Sequence, residues 1–147
     1  MAANAKEYPL RILGLLYAMT AAELNDDAEA GAMLRAELEQ REEEHFPEAA
    51  VAIAAAALHR GGYWDPDDPT FAIIPHGIRD VIERLLSGEH PGEVRLEPEE
   101  DPVVAAVRTV AACWSWYVGG NVEAARELAR QHCVRMSMFK IENGLND

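Results

Sequence analysis

Glu42 and His45 stand three residues apart in a segment of helical composition. This is the Glu-x-x-His spacing by which carboxylate-bridged di-iron bundles hold their metals. That chemistry needs a second such pair and two more glutamates turned into the same core. Glu127 and His132 are five apart, and residues 102–118 contain no carboxylate. Glu42, Glu43 and Glu44 are consecutive, which makes a chance match easy. The sequence assigns no metal.

Asp65, Asp67 and Asp68 crowd three carboxylates into one loop. A calcium loop of the EF-hand kind also needs a later glycine and glutamate, which are absent here. Pro66 and Pro69 make the segment a turn instead. His76 follows Pro75 at the start of a helix. It reads as an exposed first-turn residue.

Cys113 and Cys133 are the only cysteines. In a hairpin turning at Gly119-Gly120 they would sit about 10 Å apart along the axis at ~1.5 Å per residue, beyond disulfide reach. Two reduced thiols suit a cytoplasmic protein. His132 is not placed to activate Cys133, because adjacent helical residues face different ways. It is expected as a core histidine opposite residues 107–108, bonded to a nearby polar group. No catalytic set and no cofactor site emerge.

The large aromatics gather in two places, Tyr63 with Trp64 and Trp114 with Trp116 and Tyr117. If the loop folds onto the later helix, Tyr63, Trp64, Trp114 and Trp116 would line a small-ligand pocket, with Asp65 and His76 nearby. Aromatics at helical spacing in an apolar helix more often mark core.

The charge is unusual in its placement. The formal net charge is −13 across 147 residues. Residues 23–48 carry ten acids and two bases, residues 89–101 carry six acids and one base, and the remainder is balanced. A field this localised steers a basic partner and repels nucleic-acid phosphates. The bland alternative is a solvated helix face and a polar loop. Eleven arginines against two lysines, with abundant alanine, suggest a GC-rich bacterial or phage genome.

The elements that must position these residues read as helices throughout. Residues 102–118, PVVAAVRTVAACWSWYV, are apolar around nearly the whole circumference. That is the pattern of a helix buried on several sides, and Arg108 makes it too polar to span a bilayer comfortably. Asp101 is expected to cap it with Pro102 at its first position. Further helices are expected at 9–24, 27–44, 47–59, 75–88 and 121–142, the last capped by Asn121 after the Gly119-Gly120 turn. Asp26 and Glu29 have the spacing of a capping box. The apolar run at 12–19 follows Lys6 and Arg11, but Glu7 interrupts the basic region, so it reads as a first helix and not as a leader. Residues 1–7 form a loose lead, and 61–74 and 87–101 are longer loops.

The expected fold is a single all-α domain, a bundle of five or six helices around a buried helix at 102–118 in a C-terminal antiparallel hairpin. The expected function is a non-enzymatic acidic interaction module. It would bind, and inhibit or escort, a basic protein such as a nuclease or nucleic-acid-binding protein. In charge character the chain is similar to immunity proteins for nuclease toxins and to phage DNA-mimic inhibitors. The expected docking residues are Glu37, Glu39, Glu42, Glu43, Glu44, Glu48, Glu97, Glu99 and Glu100, with Phe46 as an apolar anchor. A small-molecule binder using the aromatic pocket, and a homo-oligomeric structural protein, are the alternatives. No membrane or direct nucleic-acid contact is expected.

Overall fold

The Asp101 carboxylate accepts from the Val103 amide at 3.0 Å, and from that cap the chain enters its most buried helix. A computed structural model describes residues 10–61, 64–65, 67–72, 74, 76–94, 96 and 101–144. The expected lead at 1–7 lies outside the described residues. All regular structure among them is helical. The helices are α1 (Leu10–Leu24), α2 (Ala28–Ala36), α3 (Gln40–Glu43), α4 (Phe46–Arg60), α5 (His76–Leu86), α6 (Pro102–Tyr117) and α7 (Val122–Glu142). Two 3₁₀ turns, Pro69–Phe71 and Pro91–Glu93, occupy the longer connections.

Helix α6 buries twelve residues and meets α1, α4, α5 and α7. One side, Val103, Val107, Val110 and Trp114, packs with Ile12, Leu16 and Met19 of α1 and with Phe46, Ala49 and Ala50 of α4. The other side, Ala112, Cys113 and Trp116, packs with Ala54, Leu58, Phe71 and Ile82. The buried alanines of α4 let the two backbones approach closely. Its buried hydroxyls are satisfied within the helix, Thr109 donating to the Ala105 carbonyl at 2.8 Å and Ser115 to the Ala111 carbonyl at 2.9 Å. Neither hydroxyl is therefore an obstacle to burial of this helix.

The helix expected over 27–44 is two helices. Arg11 reaches across from α1 and donates to the Glu37 carbonyl, a group that a continuous helix would hold in its own ladder. Glu42 accepts from the Glu39 amide at 3.0 Å and starts α3 afresh. Among the described residues the α-helices therefore number seven, not five or six.

The expected capping box at Asp26 and Glu29 is also corrected. Asp26 takes a left-handed backbone, φ 54°, and the amide of Asp27 bonds the Ala22 carbonyl at 2.9 Å. This is the C-terminal lock of α1. Asp27 becomes the cap of α2, accepting from the Ala30 amide at 3.0 Å.

Helix α7 lies against α1 along more of its length than against α6. Arg126 donates to the Leu24 carbonyl at one end of α1, and Gly14 admits Met136 and Lys140 near the other. The two helices therefore run antiparallel. Val122 and Phe139 are exposed, and within α7 burial is complete only at Ala125 and Ala129. The register also places His132 against Trp114, not against residues 107–108.

Candidate functional site

The acids of the first charged segment divide into two groups with different surroundings. In the later group, Glu42 is 9% exposed and receives Arg11 Nε at 3.0 and 3.3 Å. Glu43 receives Arg35 Nη2 at 3.3 Å, and Glu39 pairs with Arg41 at 3.6 Å. Glu37, Glu44 and Glu48 are exposed. Phe46, expected as an anchor for a partner, is 0% exposed and belongs to the core beneath α6. It fixes α4 and is out of a partner's reach. Glu97, Glu99 and Glu100 lie outside the described residues.

In the earlier group Glu23, Asp26, Asp27 and Glu29 are all exposed. Among the described residues no basic side chain forms an ion pair with any of them. They cluster because α1 turns sharply into α2 at the left-handed Asp26.

A cleft of about 390 Å³ opens beside this turn. Its floor is apolar, made by Met19 and Ala22 of α1 and by Val103, Val104 and Val107 of α6. Glu23, Asp26, Asp27 and Asp101 supply carboxylates to it, Arg35 is the one base among the described residues that line it, and Ala28 and Gly31 form the α2 wall. Arg35 is already compensated, since Nη1 holds both Asp101 oxygens at 2.8 and 3.0 Å while Nη2 reaches Glu43. Burial opposes ionisation of Asp101. Arg35 and the amides of Val103 and Val104 outweigh it and hold the carboxyl below its ordinary value. The surroundings of the cleft are therefore negative in excess.

The aromatics form two separate groups. Trp64 lies 5.0 Å from Phe71 and 6.4 Å from Trp116, centroid to centroid. Among the described residues the buried indole nitrogens of Trp64 and Trp116 find no hydrogen-bond partner. Trp114 points to the other side of α6, stacked on His132 at 4.6 Å and tilted against Tyr17 at 5.8 Å. The structure thus brings Trp64 and Trp116 together and keeps Trp114 apart. Asp65 accepts from the Asp67 amide at 2.9 Å within a turn, and His76 is exposed at the start of α5. Tyr63 lies outside the described residues.

The chain matches no known protein family, no curated protein and no solved structure.

His132 Nδ1 donates to the Leu128 carbonyl at 2.9 Å, one turn back on its own helix. Burial pushes the Cys113 thiol up to about 12 and also raises Cys133. Neither thiol is an activated nucleophile near neutral pH. His45 is exposed while Glu42 faces Arg11. Among the described residues no three His, Cys, Asp or Glu side chains are grouped to hold a metal ion. No helix among them is long and apolar enough to cross a membrane.

Sequence reasoning did not single out the exposed group Glu23, Asp26, Asp27 and Glu29 or the pairing of Arg35 with Asp101. One signal was present: Asn25-Asp26-Asp27 marked the end of a helix, and a turn is where acids stand clear of neighbours. Which acids pair with arginines was not readable, because Arg35 and Asp101 are 66 residues apart.

Proposed function

We propose that this chain is a non-enzymatic interaction module that binds a basic protein through the acidic surface where α1 turns into α2. One observation supports the reading. Glu23, Asp26, Asp27 and Glu29 face solvent with no ion pair among the described residues, whereas Glu39, Glu42 and Glu43 neutralise arginines of the chain itself. Uncompensated carboxylates on a rigid turn give a local field that accelerates encounter with a positively charged surface. Covering the phosphate-binding surface of a nuclease or nucleic-acid-binding protein would inhibit or escort it. In this reading the chain is a single helical domain arranged around α6, working in the cytoplasm.

The test is capture by the tagged chain from source-cell lysate, washed at low and at high salt. A basic protein retained at low salt and released at high salt supports the reading. Retention of no basic protein by the folded chain contradicts it.

A second reading, self-association, is favoured by α7. Val134, Met138 and Ile141 recur at one helical line and are 43%, 53% and 77% exposed. A concentration-dependent mass that Met138→Glu with Ile141→Glu reduces to the monomer supports it. A mass that stays monomeric at high concentration rejects it.

A further inference from the structure

We infer that the cleft beside the α1–α2 turn receives one long basic side chain, an arginine above a lysine, from the basic protein partner. The inference rests on the function proposed above and names the place where the partner is anchored.

The chemistry of the cleft is divided as that side chain is divided. Met19, Val103 and Val107 offer an apolar floor, and Glu23, Asp26 and Asp27 offer carboxylates at its edge. Arginine and lysine bury an aliphatic stem while keeping a charged end among polar groups. An apolar ligand would leave those carboxylates partly desolvated and unpaired, and an anionic one would be repelled. A divalent cation needs carboxylates that converge, and among the described residues no three acids do so. Glu23, Asp26 and Asp27 line the cleft from the α1–α2 turn, and carboxylates spread along one turn suit a spread charge such as guanidinium. The molecule contains an example of the geometry, since Arg35 already sets its guanidinium on Asp101 at 2.8 and 3.0 Å. The volume of about 390 Å³ admits a long side chain and is too small for a whole helix.

Gly31 is the independent sign. It stands inside α2, where glycine weakens a helix relative to alanine. A Cβ there would meet nothing within 4 Å, so no packing neighbour demands its small size. Its missing side chain keeps the α2 wall of the cleft open.

That glycine also provides the test, because it can be filled without altering charge. Hexa-arginine amide at low salt is the probe, followed by amide chemical shifts. The wild type should show saturable shifts at Ala22, Gly31 and Val104. Gly31→Phe should weaken binding about tenfold, the scale of losing an anchor, while retaining a dispersed spectrum. Gly31→Ala, too small to close the cleft, should bind as the wild type. Absence of saturable shifts in the wild type overturns the inference, and so does Gly31→Phe binding with unchanged affinity. If Gly31→Phe is silent while Glu23→Lys with Glu29→Lys weakens binding, the cleft is not the anchor and the acidic-surface reading stands. If neither change weakens binding, both readings fall.

Discussion

Arg35 Nη1 lies 2.8 and 3.0 Å from the two carboxylate oxygens of Asp101. That contact joins α2 to the N-cap of α6, and Asp101 simultaneously caps α6 through the Val103 amide. One carboxylate thus organises the most buried helix and neutralises Arg35 in the lining of the cleft. The acids facing that cleft from the α1–α2 turn are left to act outward.

Asp101→Ala should destabilise the fold by about 1–2 kcal/mol, mostly through the lost cap. The Arg35 pair is 33% and 38% exposed at its two side chains and adds little beyond that. The Asp101 carboxyl is held below its ordinary value in the fold. Its contribution is therefore complete above the ordinary carboxylate range and is lost as pH falls through the folded value. Urea unfolding at neutral and at strongly acid pH should show the gap between wild type and variant narrowing in acid. An unchanged gap would contradict this role.

Three glycines should respond differently to alanine, and thermal melts will rank them. Gly120 has φ 83°, and a Cβ there would strike the backbone carbonyl of Thr70. Gly120→Ala should cost roughly 2–4 kcal/mol from left-handed strain and overpacking together. At Gly61 an added Cβ would meet the Trp116 ring, costing about 1–3 kcal/mol. Gly31→Ala should stabilise by up to ~1 kcal/mol. A neutral Gly120→Ala would mean that the α6–α7 turn does not seat on the 3₁₀ turn at Pro69–Phe71.

The two thiols should separate under alkylation followed by mass spectrometry. Cys113 is fully buried with its thiol pushed up to about 12, so it should resist modification until unfolding. Cys133 is half-buried, its thiol also raised by burial, and its greater exposure should make it react first. Its rate should still rise with pH above the ordinary thiol range. Modification of Cys113 ahead of Cys133 in the native protein would contradict this packing around α6.

The parts of the fold legible in sequence are those fixed by local chemistry. Val103, Val107, Val110 and Trp114 declared a buried helix by their spacing, and Asp101 and Asn121 declared its cap and the next one. The break between α2 and α3 was not legible, since Arg11 reaches Glu42 from 31 residues away. Charge density was visible along the chain, but its neutralisation was not. Within the stretch at 37–48, Arg11 and Arg35 reach Glu42 and Glu43 from other turns of the fold, while Glu37, Glu44 and Glu48 stay exposed. Phe46 looked like an anchor because its neighbours are acids, whereas its helix turns it inward. The aromatic pocket failed to assemble as a unit because Trp114 and Trp116, two apart on a helix, face different cores.

Association rate between the chain and the basic protein it captures, measured at low salt for two double charge reversals, is the most direct test. Glu23→Lys with Glu29→Lys alters the α1–α2 surface, and Glu37→Lys with Glu44→Lys alters the later acids by the same net charge. Asp26 stays unchanged, since its left-handed backbone does not suit lysine. The first pair should slow association about tenfold or more, and the second should have a several-fold smaller effect. Equal slowing by both pairs, or greater slowing by the second, would contradict the assignment of docking to the turn between α1 and α2.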